Sequence, residues 1–332
     1  MKAVVATPEK LEVTNLPDPK PGPGEVRVRM EYGGICGSDL AYWKHGASGT
    51  AVLKHPLILG HEVAGIIDMP GKPATPVTFN PATLCGDYDV APELRERTNL
   101  WPEVRYFGSA AFDPHEQGGF STYRVVREDQ IRPIPAGVST RTAAAAEPLA
   151  VAIHGLHRAD FKGKPILVNG CGPIGALLIG AAKYYGAGEV YASDPADLSL
   201  EHVKAMGADH LINPTRDDLP TDIPVTYDCS GAPAAIDGLL RATRRGGTLV
   251  QVGNLPGTPA PIGLGQLVTR EITYKGSYRL IDEVTDALDA MANGLDIEPL
   301  LTHEFPIDDA VAAFETAADR STGSSKVLLK LS

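Results

Sequence analysis

One cysteine and one histidine–glutamate pair near the start of the chain have the side chains best suited to hold a metal ion. Cys36 lies in "GGICGSDLAYW", and His61 and Glu62 follow 25 residues later in "LGHEVAG". A thiolate, an imidazole and a carboxylate collected from loops suit zinc, whose catalytic sites use three protein ligands plus water. Either Glu62 or Glu147, in "AEPLAVAIH", would be the third ligand. A zinc-protease helix is excluded, because Gly65 stands where its second histidine is required.

A glycine-rich turn in the second half of the chain predicts a dinucleotide site. "GCGPIG" places glycines at 170, 172 and 175, between the strand-like "ILVN" and a helical run. Such glycines allow a tight turn, close approach of a pyrophosphate and close helix–strand packing. Asp194 ends the next predicted strand, where a carboxylate binds the adenosine ribose and repels a 2′-phosphate. The following "PADLSL" has no Lys or Arg, so the sequence favours NAD over NADP.

The elements that must position these residues change in type near residue 140. Up to about residue 135 the chain predicts short strands, as in "EVRVRMEY", where Val26, Val28 and Met30 share one face. From residue 140 onwards, strand and helix patterns alternate, which predicts a doubly wound parallel sheet. Two helical runs and a closing strand, "KVLLKL", end the chain.

Composition excludes several classes of partner. The 332 residues contain 30 Lys and Arg against 41 Asp and Glu, a formal charge of −11, which disfavours nucleic acid and anionic membranes. No apolar run long enough for a membrane span occurs, and the first residues show no apolar signal core, so we expect a cytoplasmic protein. The four cysteines are widely spaced, which does not predict a disulfide framework.

Five motifs, in this order along the chain, together resemble one enzyme family. They are "GGICGSDLAYW", "LGHEVAG", "AEPLAVAIH", "VNGCGPIG" and "YKGSYR". The chain resembles the zinc-dependent medium-chain dehydrogenase/reductase superfamily, in particular its polyol dehydrogenase branch. Within that branch, "YFGSAAFDPHEQGGF" is most similar to the L-idonate 5-dehydrogenases, with the sorbitol dehydrogenases as close relatives. The resemblance implies an α/β protein with a GroES-like, β-rich catalytic domain (1–139 and 280–332) and a Rossmann NAD-binding domain (140–279).

The resemblance also assigns roles to individual residues. It implies that Cys36 and His61 bind the catalytic zinc, with Glu62 or Glu147 as a direct or water-mediated ligand. Ser38 would pass the substrate proton, and Asp39 would orient the zinc-binding histidine. Tyr42 and Arg279 would line the substrate pocket. The implied cofactor-binding residues are Gly170, Gly172, Pro173, Ile174, Gly175, Asp194 and Val252.

The chain departs from the family pattern at two places. Relatives usually carry four cysteines for a structural zinc, but here only Cys85 matches, and the other positions hold Tyr88, Ala91 and Asn99. One thiolate cannot form a closed tetrahedral site, so we expect one catalytic zinc and no structural zinc. Relatives often place a relay histidine three residues after the serine, where this chain has Ala41.

The resulting hypothesis is the NAD-linked oxidation of a secondary alcohol of a polyol or sugar acid to the ketone. L-Idonate is the first substrate to test, and a sorbitol or xylitol type of activity is the alternative. A zinc-free reductase and a non-catalytic nucleotide-binding sensor are the competing classes, and the joint presence of the ligand set and Ser38 argues against both. Relatives suggest a homodimer or homotetramer.

Overall fold

The chain divides into two compact units. A computed structural model describes residues 1–84 and 89–332. The first unit comprises Met1–Glu147, Ala287–Ala292 and Leu301–Ser332, and the second comprises Pro148–Asp286 and Asn293–Leu300. The functional domains expected from the sequence, 1–139 with 280–332 and 140–279, stay predictions.

Strands dominate the first part of the described chain, and strands and helices alternate in the later part. The strands are β1 (Lys2–Ala6), β2 (Leu11–Asn15), β3 (Glu25–Gly34), β4 (Ala47–Ser48), β5 (Ala51–Val52), β6 (Leu57–Ile58), β7 (Glu62–Ile67), β8 (Pro76–Phe79), β9 (Ala82–Leu84), β10 (Val104–Tyr106), β11 (Tyr123–Arg127), β12 (Ile131–Pro133), β13 (Ile166–Asn169), β14 (Val190–Ser193), β15 (His210–Ile212), β16 (Ile223–Asp228), β17 (Thr243–Gln251), β18 (Thr273–Gly276), β19 (Leu301–Pro306) and β20 (Lys326–Lys330). The α-helices are α1 (Gly37–His45), α2 (Thr140–Ala143), α3 (Ala146–Leu156), α4 (Pro173–Tyr184), α5 (Asp197–Ala205), α6 (Pro233–Ala242), α7 (Gly265–Thr269), α8 (Val284–Ala292) and α9 (Ala310–Ala318). Across the described residues, none of these helices combines the length and apolar character that crossing a bilayer requires.

The first unit is built on a seven-stranded sheet. Its strands run in the order β12-β8-β7-β3-β20-β19, and β11 also pairs with β3. The predicted alternation on β3 is confirmed, because Val26, Val28 and Met30 are each 0% exposed. They pack in one apolar core with Phe79, Phe120 and other buried side chains. The loop of residues 35 and 36 therefore follows directly from a long strand that is anchored in the core.

The second unit is a six-stranded parallel sheet in the order β15-β14-β13-β16-β17-β18. The strand order reverses beside β13, where the chain continues into α4. In such sheets ligands bind outside the carboxyl ends of the strands at that reversal. The predicted combination of a β-rich unit with a doubly wound parallel sheet is confirmed, and the glycine turn lies at this position.

Candidate active site

Cys36, His61 and Glu62 come together because strands β3 and β7 pair antiparallel. Gly34, the last residue of β3, lies opposite Glu62, the first residue of β7. Cys36 follows two residues after the end of β3, and His61 directly precedes β7. A ligand atom from each of Cys36, His61 and Glu62 lies within 4.8 Å of the other two. The structure therefore brings the predicted thiol, imidazole and first carboxylate into one cluster, which we call the ligand cluster.

Two glycines make room for the side chains around the ligand cluster. A Cβ atom on Gly34 would collide with the Glu62 carboxylate, and one on Gly60 would collide with the ring of Phe120. Gly60 also has a φ of 93°, in the region that favours glycine. The sequence "LGHE" thus requires its glycine both for backbone conformation and for space.

Asp39 joins the two loops that carry the ligand cluster. Its Oδ2 accepts a hydrogen bond from the Cys36 amide at 2.9 Å, and its Oδ1 accepts one from the Gly60 amide at 3.1 Å. The side chain is 0% exposed. Burial raises the pKa of Asp39, and His61 opposes that rise. Its hydrogen bonds come from the main chain of Cys36 and of Gly60, which precedes His61, and the orienting of the His61 imidazole by Asp39 stays a prediction.

Glu147 lies near the ligand cluster but is held by a tyrosine that the sequence analysis did not single out. The Tyr106 hydroxyl donates a hydrogen bond to Glu147 Oε1 at 2.5 Å, and the Tyr106 ring centre is 5.7 Å from that of His61. Among the described residues, the set whose ligand atoms lie within 4.8 Å of one another does not include Glu147. The geometry favours Glu62 over Glu147 as the third member of a metal-binding set.

Lys326, at the start of β20, is the second residue of the site that the sequence analysis missed. Leu328 pairs with Gly34 in the antiparallel register of β20 and β3. Lys326, two residues before Leu328, is therefore level with Cys36, two residues after Gly34. Its Nζ donates to Glu62 Oε1 at 2.8 Å. The register follows from tertiary pairing between the two ends of the chain, so "KVLLKL" alone carried no signal for this contact.

The buried charges of the site sum to an excess of acid. Burial lowers the pKa of His61, but the electrostatic interaction and the hydrogen bond with Cys36 raise that pKa to about 10. Burial likewise raises the pKa of Glu147, which His61 lowers in turn. Among the described residues of this cluster, Cys36 and three carboxyl groups outnumber the two basic groups, His61 and Lys326, so a bound cation would be stabilised here.

A zinc ion fits this donor set. The cluster contains a thiol, an imidazole and a carboxylate, the ligand types of catalytic zinc sites. Glu62 is buried, and its Oε2 lies 2.6 Å from Lys326 Nζ. The buried carboxylate is therefore already paired with one cation, which favours its ionised, metal-binding form.

Ser38 and Tyr42 lie on α1, directly after Cys36. Ser38 is in the first turn and half-buried. Tyr42 is 3% exposed and packs in the core of the first unit, and its hydroxyl accepts a hydrogen bond from the Ala110 amide at 2.9 Å. The predicted proton carrier is therefore two residues from a metal-ligand candidate. Tyr42 stays a predicted substrate contact, and its hydroxyl also anchors the loop at residue 110.

The segment 106–120, whose sequence resembles the L-idonate 5-dehydrogenases, forms hydrogen bonds with the backbone that leads to His61. His115 Nε2 accepts hydrogen bonds from the amides of Lys54 (2.9 Å) and His55 (3.2 Å). Gln117 Oε1 accepts one from the Ile58 amide at 2.7 Å. "DPHEQGG" therefore positions the backbone before His61 through these contacts.

The glycine turn has the geometry that a dinucleotide phosphate needs. Gly170 has a φ of 86°, and a Cβ on Gly175 would collide with the Gly170 carbonyl oxygen. The space beside Gly172 is open, so a ligand could approach its backbone closely. Pro173 and Ile174 then begin α4, whose first-turn amides face the same end and favour an anion.

Asp194 lies at the end of β14, beside the glycine turn. Its Oδ2 accepts a hydrogen bond from the Cys171 amide and its Oδ1 accepts one from the Ala196 amide, both at 2.8 Å. Each oxygen keeps a further lone pair, so the carboxylate can still accept a ribose hydroxyl. The structure thus fixes the orientation of the predicted ribose-binding acid.

A basic side chain stands near Asp194 that the local sequence did not reveal. Arg216, after β15, donates to both carboxylate oxygens of Asp197, at 3.0 and 2.7 Å. Asn213 bridges this pair to the turn after Asp194, donating to Pro195 O at 3.1 Å and to Asp197 Oδ1 at 2.9 Å. Residues 195–200 contain no Lys or Arg, and the guanidinium comes from later in the chain through this tertiary contact.

Asp228 organises the carboxyl ends of the central strands. It is 0% exposed and accepts hydrogen bonds from Asn169 Nδ2 at 2.9 Å, the Ser230 hydroxyl at 2.6 Å and Gln251 Nε2 at 2.5 Å. Its main-chain carbonyl accepts from the amide of Val252, one of the predicted cofactor contacts, at 2.8 Å. The "DCSG" after a buried strand was the available signal for this residue.

The remaining predicted residues are placed as follows. Arg279, in the second unit, has a φ of 52°, and its guanidinium lies 5.0 Å from the centre of the Tyr278 ring. Cys85 and Tyr88, two of the four positions compared with a structural zinc site, lie outside the described residues. At the other two positions, Ala91 is exposed and Asn99 is 4% exposed.

Comparisons with known proteins agree with both units. A sequence model described as "Alcohol dehydrogenase GroES-like domain" matches residues 22–136, and one described as "Zinc-binding dehydrogenase" matches residues 173–293. The chain is 38% identical to L-idonate 5-dehydrogenase (NAD(P)(+)) of Escherichia coli K12, across 91% of this chain and 90% of that protein. The crystal structure of the Escherichia coli L-idonate 5-dehydrogenase superposes with a TM-score of 0.92 and 36% identity, covering 99% and 97% of the two chains. Sorbitol dehydrogenase of Bos taurus is 33% identical across 96% of this chain and 92% of that protein.

Proposed function

Since the chain belongs to the zinc-dependent medium-chain dehydrogenases, and within them to the polyol and sugar-acid enzymes, we propose that it oxidises L-idonate at a secondary hydroxyl with NAD. Zinc and a nicotinamide cofactor are the groups that this family uses. The observation that carries the proposal is the ligand cluster of Cys36, His61 and Glu62 within 4.8 Å. Sorbitol and xylitol are the alternative substrates, because the chain is also similar to sorbitol dehydrogenase.

In the proposed site, Cys36, His61 and Glu62 hold one zinc ion. The bound metal supplies Lewis acidity, which lowers the pKa of a substrate hydroxyl. Glu147 stays in the surrounding shell, because its Oε1 accepts the Tyr106 hydroxyl. Asp39 keeps the two ligand-bearing loops together through the amides of Cys36 and Gly60.

Ser38 is proposed to move the proton. Its hydroxyl accepts the proton of the substrate hydroxyl and releases its own to solvent. Ala41 stands where relatives often have a relay histidine, so water completes the path. The role rests on the place of Ser38 in the first turn of α1, two residues after Cys36.

The second unit is proposed to bind the dinucleotide. Its nicotinamide supplies the hydride acceptor. The open backbone at Gly172 and the amino end of α4 suit the pyrophosphate. Asp194 is proposed to accept a ribose hydroxyl, with Val252 near the nicotinamide end. Arg279 is proposed to bind the carboxylate of a sugar acid. Tyr42 is proposed to contact the substrate, since its hydroxyl accepts a hydrogen bond from the Ala110 amide and can still donate one.

The test is a panel of substrates with both cofactors. We expect reduction of NAD to be fastest with L-idonate, slower with sorbitol and xylitol, and marginal with simple aliphatic alcohols. Cys36→Ser should abolish turnover with every substrate and lower the bound zinc, while NAD binding is retained. Turnover of aliphatic alcohols without any turnover of polyols or aldonates would contradict the substrate assignment. The homodimeric or homotetrameric state and the cytoplasmic location stay predictions, the former open to sedimentation analysis.

A further inference from the structure

Lys326 is buried at the ligand cluster, and a lysine is rarely buried unless it is paired with an acid. The residue is 3% exposed, and Glu62 beside it is 1% exposed. Nζ donates to Glu62 Oε1 at 2.8 Å and to the carbonyl oxygen of Ile35 at 3.2 Å. Ile35 directly precedes Cys36, so the lysine contacts both chain segments that supply the cluster.

The surrounding backbone is shaped to accept this ion pair. A Cβ on Gly34 would collide with the Glu62 carboxylate and would lie 3.2 Å from Lys326 Cδ. Lys326 is also level with Cys36 in the register of β20 and β3. Burying two charges is unfavourable unless their geometry is good and their remaining hydrogen bonds are made. The contacts to Glu62 and Ile35 meet part of that requirement.

Both oxygens of Glu62 lie against the ammonium group of Lys326. Oε1 accepts a hydrogen bond from Nζ at 2.8 Å, and the buried Oε2 lies 2.6 Å from Nζ. A metal held by Cys36, His61 and Glu62 would share the carboxylate with the lysine. Lys326 would then place a positive charge close to the ion, and like charges in a poorly solvated site repel strongly.

We propose that Lys326 is the internal counter-ion of the metal centre and competes with zinc for the charge of Glu62. This inference rests on the proposed zinc-binding function of the cluster. Lys326 stabilises the protein when zinc is absent, because it compensates Glu62, and it weakens zinc binding, because the two cations share one carboxylate. The lysine acts through Glu62 and is a positioning residue of the centre.

The experiment measures zinc affinity and thermal unfolding on the full chain. Wild type, Lys326→Met and Lys326→Arg are stripped of metal and titrated with zinc in competition with a chromophoric chelator, and Tm is recorded with and without zinc. Lys330→Met is the matched control, because Lys330 lies on the same strand but is exposed. We expect Lys326→Met to bind zinc at least about tenfold more tightly, about 1.4 kcal/mol. Its Tm should fall mainly in the zinc-free protein, while Lys326→Arg and Lys330→Met stay close to wild type.

A purely structural lysine would lower the Tm equally with and without zinc and leave zinc affinity unchanged, and that result would overturn the proposal. Weaker zinc binding in Lys326→Met would overturn it as well. Should Lys326→Met fail to fold with or without zinc, Lys326→Gln takes its place, because its amide can still donate a hydrogen bond to Glu62 but carries no charge. Tighter zinc binding by Lys326→Gln than by wild type supports the proposal, and equal or weaker binding overturns it. A wild-type protein that binds no zinc would refute the proposed function itself, a result separate from any effect of Lys326.

Discussion

Tyr106 joins His61 and Glu147, since its hydroxyl donates to Glu147 Oε1 at 2.5 Å while its ring meets the imidazole edge-on at a centroid distance of 5.7 Å. Both Tyr106 and Glu147 are buried, at 5% exposure each. The tyrosine therefore provides a hydrogen bond to a carboxylate that water reaches poorly. This contact places Glu147 beside the ligand cluster and leads to a test of stability.

Tyr106→Phe should lower the free energy of unfolding by about 1–3 kcal/mol, the usual effect of leaving a buried hydrogen-bonding group without its partner. The ring packing against His61 is retained in the variant, so zinc content should stay unchanged. Urea denaturation of the zinc-loaded protein measures the difference. Tyr184→Phe is the control, because Tyr184 is 39% exposed. Equal stability of Tyr106→Phe and wild type would show that the hydroxyl of Tyr106 contributes nothing to the site.

The number of zinc ions per chain is a second prediction. We expect one, because the ligand cluster provides one catalytic set, while Ala91 and Asn99 stand where a structural site would need cysteines. Elemental analysis should therefore give one zinc for wild type and for Cys85→Ser, and less than a tenth of that for Cys36→Ser. Two tightly bound zinc ions in wild type, or loss of zinc in Cys85→Ser, would contradict this prediction.

The sequence predicted elements well where a local pattern repeats. The alternation of Val26, Val28 and Met30 identified β3, and the glycine turn before a helical run identified the start of α4. Strands as short as β4 and β5, with two residues each, contain too few residues to show a period. β15 is half exposed and three residues long, so its pattern is equally weak.

The site was predictable only as far as local motifs and family resemblance reach. "GICGSD" and "GHE" pointed to Cys36 and His61, which the register of β3 and β7 brings together. Lys326 joins them from 264 residues after Glu62, through a strand pairing that no local pattern encodes. Arg216 likewise meets Asp197 across 19 residues. Contacts of this kind depend on which strands become neighbours, and one sequence does not reveal that.

Cofactor choice gives a third prediction. Asp194 should disfavour NADP, because its fixed carboxylate would face the 2′-phosphate. Asp194→Ala should therefore raise kcat/KM for NADP relative to NAD. It should also weaken NAD binding, because the ribose hydroxyl loses its acceptor. The kcat/KM values for both cofactors on the same substrate check this prediction. A wild-type protein that uses NADP more efficiently than NAD would show that Asp194 does not control the choice.

The fourth prediction concerns the effect of Arg216 on NADP binding. Its guanidinium is held by Asp197, whose pKa is lowered to about 2 by hydrogen bonds from Arg216 and Asn213. Asp197→Asn should release the guanidinium and remove one negative charge near the ribose site, so NADP binding should tighten severalfold. The double variant Asp197→Asn/Arg216→Gln should lose that gain. Titration of each protein with NADPH, followed by nucleotide fluorescence, measures both effects. An equal gain in the double variant would exclude a direct role for Arg216.

The last prediction concerns Ser38. If its hydroxyl carries the substrate proton, Ser38→Ala should lower turnover by roughly two to four powers of ten, the usual contribution of a positioned proton-transfer group. Zinc content and NAD affinity should stay at wild-type values, because Ser38 is not a member of the ligand cluster. The fold should also be retained, because the variant loses only one small hydroxyl from a half-buried position. The loss should be smaller at high pH, where solvent base replaces the serine. The measurement is the pH profile of kcat/KM for both proteins.

Ala41 sharpens this test, because the outer position of the relay already lacks a histidine. Ser38→Thr keeps a hydroxyl at the same position and is the matched control, expected to retain far more activity than Ser38→Ala. An alanine variant within a few-fold of wild type at every pH would mean that solvent takes the proton directly. Ser38 would then have no part in the mechanism, and the deprotonation would depend on the metal centre and water alone.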